Sequence, residues 1–361
     1  MTAIAAPSAS ATTGSGRLPR RMPWMLLIAS FAISAVVFAV ANLGADPADF
    51  NIALAVVVGM LIYMVLIFAI SSIAESRRRA VDRLMTALVS AAFVLALLPL
   101  ISLLYTVVIN GLARFDTEFF TFSMRNIVGA GGGAIHALWG TVLITLGATV
   151  ISVPIGLMTS IYLVEYGQGR KLARGITFLV DVMTGIPSIV AGLFIYSVFA
   201  LLVAPGTRIG VMGSLSLSVL MIPVVVRGSE ELLRIVPNEL REAAYALGVP
   251  KWLTILRVVL PTSIAGITTS VMLAVARVIG ETAPLLLTVG MVQGMNLNMF
   301  SGQMATLPVF SYMQSKYPGV PPDAYLDRAW AAALALILIV MVLNLIARWV
   351  AKVFAPKTAG R

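Results

Sequence analysis

Residues 238–261 read NELREAAYALGVPKWLTILRVVLP, a charged segment between apolar runs at about 209–226 and 264–290. Asn238 suits a helix start. Leu240, Ala243, Ala244 and Leu247 then fall at i, i+3, i+4 and i+7, on one face. Gly248 suits the left-handed stop at a helix end, and Pro250 suits the first turn of the next helix. Trp252, Leu253, Ile255, Leu256 and Val259 make that second helix apolar, and Pro261 is expected to end it. Upstream, Ser229, Glu230 and Glu231 read as another helix start, interrupted at Pro237. The product is two short helices meeting at a glycine turn, with small Ala243 and Ala244 allowing close approach to another surface. Periodicity alone leaves two occupants open, a cleft on another protein and an anionic lipid surface.

Working outward, the flanks are too apolar for a soluble domain. Hydrophobic residues make up 60% of 361 positions and charged residues 11%, against about a quarter charged in soluble domains. Runs long enough to cross ~30 Å of hydrocarbon recur along the chain. Eight spans are expected, at about 24–43, 51–73, 84–109, 137–164, 176–204, 209–226, 264–290 and 328–353. The fold class is therefore all-α, a polytopic membrane helix bundle. With no cysteine, disulfides, thiol nucleophiles and thiolate metal sites are excluded. A lone His136 beside glycines reads as a loop histidine near the membrane face, and no metal site is expected.

The net charge of +10 raises the question of nucleic acid, and the placement of the charge answers it. With the N-terminus in the cytosol, nineteen of the 25 Lys and Arg fall on inside segments and five outside, leaving Arg277 within a span. This is the positive-inside bias, so both termini are placed in the cytosol and no nucleic-acid partner is expected. Residues 1–16 are rich in Ala, Ser, Thr and Gly and are expected to be disordered. Arg20-Arg21, an apolar run and Ala39-Val40-Ala41 imitate a cleavable signal peptide. The length of that run, and a second span after the turn Asp46-Pro47-Ala48-Asp49, favour an uncleaved hairpin.

Arg277 lies thirteen residues past Ile264, or roughly 20 Å into the seventh span at ~1.5 Å per residue. An arginine there is costly unless it faces a partner or a cavity. Glu281, one turn on, offers a partner at i+4. One reading is an internal ion pair bracing the bundle. The other is a polar path, in which the planar guanidinium matches phosphate oxygens and the carboxylate accepts a hydrogen bond from a protonated anion. Inorganic phosphate keeps a proton near neutral pH and sulfate does not, so such a pair would admit the first and disfavour the second.

Two resemblances narrow these alternatives. Glu242-Ala243-Ala244, Gly248 and Leu260-Pro261, with Val258 where an isoleucine is usual, resemble the EAA loop of ABC-importer permeases. ARVIGETAPLLL at 276–287, Asp181 through Gly192 and Leu307-Pro308-Val309 resemble the A-type permease of the phosphate-specific (Pst) ABC importers. The likeness covers roughly residues 85–355 and implies a six-helix type I permease core preceded by a two-helix addition. It divides the chain into a disordered start (1–22), a hairpin and basic loop (23–83), the core (84–355, with the docking loop at 228–262) and a cytosolic tail (356–361). It implies Arg277, Glu281 and Thr282 in a phosphate path, with Glu242, Ala243, Ala244, Gly248, Leu260 and Pro261 docking an ATPase. The implied partners are a C-type permease, ATPase subunits and an extracytoplasmic phosphate-binding protein, at a bacterial cytoplasmic membrane. The chain has no G-x-x-x-x-G-K-[ST] phosphate loop. It is thus expected to bind no cofactor itself, leaving ATP and Mg to the ATPase chain. A permease for another oxyanion, or a secondary transporter, is the rival reading.

Overall fold

The computed structural model describes residues 18–19, 21–41 and 52–354. The expected disordered start (but for residues 18–19, 21 and 22), the acidic turn at 46–49 and the tail at 356–361 lie outside the described residues. Among the described residues there is no strand. Among them seven helices are long and apolar enough to cross a bilayer, and a sharply bent pair, counted as one span, makes an eighth. The chain divides into two compact units after Leu104.

The first unit holds α1 (Met22–Ala41), α2 (Ile52–Ala74) and most of α3 (Arg77–Leu112). The α1 and α2 sequences are apolar all round, as helices facing lipid are. They cross antiparallel where side chains are small. The Ser34 hydroxyl donates to the Ala55 carbonyl at 2.6 Å, and a Cβ at Gly59 would lie 2.8 Å from the Phe31 ring. Close approach of this kind is the main source of helix association in lipid. At the basic end, Glu75 accepts from the Leu18 N–H at 2.8 Å and from Arg83 at 3.0 Å.

The second unit begins with the last turns of α3. It continues through α4 (Thr117–Thr121), α5 (Ile135–Ile161, extended by a π-helical turn at Tyr162–Tyr166), α6 (Lys171–Thr184), α7 (Ser188–Leu202) and α8 (Gly210–Ile235). After α9 (Asn238–Ala246) come α10 (Lys251–Thr254), a π-helical turn at Ile255–Val259, α11 (Leu260–Val278), α12 (Ala283–Thr288), α13 (Leu307–Lys316) and α14 (Pro322–Phe354). The core is the parallel pair α5 and α8. Ser214 donates to the Ile144 carbonyl at 3.0 Å and Ser218 to the Ala148 carbonyl at 3.4 Å, and Gly156 presses on Val225. Ile144, Leu217, Met221, Val225, Val278 and Leu285 fill the space between these helices and α11 and α12. On α8 the partner α11 runs antiparallel, with Gly228 against Ser270 and Gly266 against Leu232.

The tightest approach of a glycine to backbone is at Gly140, where an added Cβ would lie 1.9 Å from the Ala305 carbonyl oxygen. Backbone cannot swing aside as a side chain does. Gly140→Ala is therefore expected to destabilise the purified protein by about 2–3 kcal/mol. The control Gly175→Ala adds its methyl to open space and is expected to be neutral. Thermal unfolding in detergent compares the two.

Five expectations are corrected. The fifth span is two helices, α6 and α7, bent by 108°. Pro187 carries no N–H to continue α6, and Gly185 and Ile186 close the break with N–H bonds to Val182 and Met183. The seventh span stops at Val278, because Gly280 and Pro284 separate α11 from the short α12. Pro261 does not end a helix, since Lys251–Val278 is one continuous rod. The π-helical turn before Pro261 has Leu260 N–H bonded to the Ile255 carbonyl, a wider ring that accommodates the proline. No helix starts at Ser229, because α8 runs on to Ile235. Buried Glu230 is neutralised there by Arg227 at 2.9 Å and Arg234 at 2.6 Å.

The fifth correction concerns the end of the bundle opposite α9. His136 is buried in the first turn of α5, with its ring edge-on to Phe310 at 5.6 Å. Arg328, the first residue of the expected last span, is also fully buried. It donates to the carbonyls of Gly129 at 2.7 Å and Gly131 at 2.8 Å. The glycine run at 131–133 is accordingly packed: Gly132 N–H bonds Glu118 at 2.8 Å, and a Cβ at Gly133 would strike three carbonyl oxygens.

Candidate functional site

Two features of the second unit carry the polar residues singled out from sequence. The first is a cavity of about 240 Å³ at the break between α6 and α7. Met183, Thr184, Ile186 and Ser188 line it from the break, Leu220, Pro223 and Val224 from α8, and Arg277 and Glu281 from the end of α11 and the turn after it. Each element is placed by a local cause. The Pro187 break turns the start of α7 toward α8, and Gly192 lets α7 lie against Pro284, 2.7 Å from where its Cβ would be. The turn at Gly280 then carries Glu281 off the helical path.

Arg277 and Glu281 share this cavity but form no ion pair, and neither side chain makes a hydrogen bond among the described residues. The i+4 geometry is lost because α11 ends one residue after Arg277. Arg277 is exposed in the isolated chain and Glu281 half-buried. An unpaired guanidinium, an unpaired carboxylate and two hydroxyls therefore surround one open volume. Thr282 does not line the cavity. It sits just before α12, where its carbonyl accepts the Leu286 N–H at 2.9 Å.

The second feature is the element α9–turn–α10. Gly248 adopts φ +77°, its N–H bonds the Tyr245 carbonyl, and Val249 N–H bonds the Ala244 carbonyl at 3.1 Å. This is the helix stop expected from sequence. Ala244 is buried, while Glu242, Ala243, Leu247, Gly248 and Trp252 are exposed. Leu260 and Pro261 lie within the rod that leads from this element to Arg277.

What anchors the element was not seen in the sequence. Arg241 donates from Nε and Nη2 to Oε1 of Glu165 at 3.0 and 2.9 Å, and to the carbonyls of Leu233 at 2.9 Å and Val236 at 2.6 Å. Lys251 Nζ donates to the Glu165 carbonyl and stands over the Tyr166 ring at 4.9 Å. Both helices of the element are thus tied to the π-helical end of α5. A carboxylate closing an apolar span was the available signal, but its partner lies 76 residues away.

Residues 152–360, which include the cavity and the α9–α10 element, match the family described as binding-protein-dependent transport system inner membrane component. A relative from Mycobacterium tuberculosis (strain CDC 1551 / Oshkosh), phosphate transport system permease protein PstA 1, is 46% identical over 275 residues, 75% of this chain and 88% of its own. A relative named phosphate transport system permease protein PstA, from Yersinia pestis, is 38% identical over 283 residues, 78% of this chain and 93% of its own. The chain belongs to the PstA family. A solved chain of the MetNI methionine ABC transporter, in an inward-facing conformation, superposes with a TM-score of 0.51 at 18% identity, covering 62% of this chain and 96% of that one. This chain therefore has the helical fold of an ABC-importer permease, and its break, cavity and α9–α10 element lie within the residues that match the family.

Proposed function

We propose that this chain is the permease subunit of an ATP-driven importer of inorganic phosphate, forming half of the path and docking the ATPase. Membership of the PstA family supports the transport role. The cavity holding Arg277 and Glu281 is the observation that carries the substrate reading. An anion with one proton offers oxygens to the guanidinium and an O–H to the carboxylate, and both contacts are made without leaving either charge unmatched. A fully ionised anion of the same shape meets repulsion at Glu281.

The remaining assignments follow from this reading. The α9–turn–α10 element, with Glu242, Ala243, Ala244 and Gly248, seats in a cleft of the ATPase chain, which supplies the ATP and Mg chemistry. Leu260 and Pro261 belong to the rod that carries its motion to the cavity. A C-type permease supplies the other wall of the path, and a phosphate-binding protein delivers cargo from outside. Both termini lie in the cytosol, and the α1–α2 hairpin is an addition to the core. Alternating access then requires two states of the bundle that the ATPase and the binding protein favour unequally.

The test is uptake of labelled phosphate into proteoliposomes holding this chain with its permease, ATPase and binding-protein partners, with ATP inside and sulfate as competitor. ATP-dependent uptake that resists sulfate supports the reading. Transport of sulfate or another oxyanion in its place overturns the substrate assignment and leaves the importer. In the same assay Glu281→Gln is expected to reduce the preference for phosphate over sulfate by about tenfold, the worth of one hydrogen bond to a charged group. Unchanged discrimination would remove Glu281 from the selectivity role.

A further inference from the structure

One helical turn from the cavity, toward the α9 end of the bundle, Arg227 of α8 bridges to Asp181 of α6. The register is fixed on both helices. Val224 and Pro223 line the cavity three and four residues before Arg227, and Thr184 lines it three residues after Asp181. The Thr184 hydroxyl donates back to the Asp181 carbonyl at 2.6 Å. The ion pair thus crosses between the two helices that wall the cavity, on the side through which cargo leaves in the proposed orientation.

The two acidic partners of Arg227 are not equivalent. Glu230 is 5% exposed and holds Arg227 Nη1 at 2.9 Å and Arg234 at 2.6 Å. Its buried carboxylate depends on both guanidiniums for compensation and is held in place by them. The Asp181 side chain is 59% exposed and, among the described residues, has Arg227 as its only side-chain partner. A pair so exposed is held weakly. One carboxylate on Arg227 is therefore fixed and the other is exchangeable.

From this geometry we infer that Arg227 is a second oxyanion station on the exit side of the cavity, with the Asp181 carboxylate occupying it between cargoes. The inference rests on the phosphate-import reading above. A tetrahedral oxyanion leaving Arg277 meets, one turn further on, a guanidinium whose Nη2 is held only by a displaceable carboxylate. Displacement breaks the bridge between α6 and α8 and so couples passage of the anion to opening of that end. Return of Asp181 expels the anion and closes it again. Asp181 and Arg227 thereby act as a latch that sets how strongly product on the exit side holds the importer.

The experiment is the complete complex in proteoliposomes, with ATP and increasing unlabelled phosphate inside and labelled phosphate outside. Asp181→Asn frees the station and is expected to lower the internal phosphate giving half-inhibition by about tenfold. Arg227→Gln removes the station and is expected to raise it by at least about the same factor. The double variant should follow Arg227→Gln. Arg227→Lys keeps the charge and the bridge but loses the planar fork, and should shift inhibition upward by a few-fold. It serves as the test if the neutral variants do not assemble. If the pair is only a brace, both neutral variants lose uptake with no shift in half-inhibition, and the reversed pair Asp181→Arg with Arg227→Asp restores it. That result would overturn the inference. A wild-type complex that takes up no phosphate would instead bring down the import reading on which the latch stands.

Discussion

Arg277→Gln is expected to lower ATP-driven phosphate uptake by about a hundredfold, roughly the worth of a bidentate pair of charge-assisted hydrogen bonds. Arg277 lines the cavity beside Glu281, Thr184 and Ser188 and has no partner among the described residues to absorb its charge. Glutamine preserves most of the side-chain length and leaves no buried void, since the arginine is exposed in the isolated chain. Loss of uptake would therefore report on the anion rather than on packing. The ATPase-docking element should be indifferent. From Lys251 to Arg277 the rod runs 26 residues, about 39 Å at ~1.5 Å per residue, so ATPase subunits should still co-purify with the variant. Arg277→Lys keeps the charge without the planar fork and should fall between the two. Uptake that survives Arg277→Gln would reduce the residue to a bystander and move the path elsewhere.

The reasons Arg277 was legible in the sequence, and its geometry was not, are physical. A guanidinium inside an apolar run is expensive wherever it points, so its presence alone announces a cavity or a partner. Whether Glu281 is that partner depends on the helix continuing for one more turn, and Gly280 followed by Pro284 stops it. Those two residues were visible as breakers, yet an apolar run around them reads as one span by hydropathy. The same holds at Gly185-Ile186-Pro187, where composition gave a single crossing and the backbone turns through 108°. Proline tells where a helix is weak. Its neighbours decide whether it kinks, breaks or is absorbed, as Pro261 is absorbed by the preceding π-helical turn.

The α9–turn–α10 element shows the opposite balance. Its helices, its stop at Gly248 and its restart after Pro250 are local and were all readable, because each depends on a backbone preference of one or two residues. Its anchors are not local. Nothing near Arg241 in the chain indicates Glu165, and nothing near Arg328 indicates the carbonyls of Gly129 and Gly131. In a sequence with so few charges, each buried one needs a partner, and only tertiary packing says which. The domain that emerges has a legible outline and hidden pins.

Glu165→Gln is the variant that tests whether the Arg241 pin matters to transport. The Glu165 and Arg241 side chains are 5% and 11% exposed, and breaking such a pair from one side costs about 3–5 kcal/mol because the remaining charge is left buried. Arg241 would keep its bonds to the Leu233 and Val236 carbonyls, and Lys251 its bond to the Glu165 backbone. The element should therefore stay folded but lose its rigid tie to the end of α5. The expected result is ATPase subunits that still bind and hydrolyse ATP, with phosphate uptake reduced more than about tenfold. Arg241→Gln also removes the bonds to the Leu233 and Val236 carbonyls and should lower uptake at least as much. A double-mutant cycle then separates the pair from the general cost of two substitutions: coupling above about 1.5 kcal/mol is expected for groups in direct contact. If the two losses simply add, or if ATPase binding falls in step with uptake, the pair holds the docking surface in shape and the transmission of motion runs through the α10–α11 rod alone.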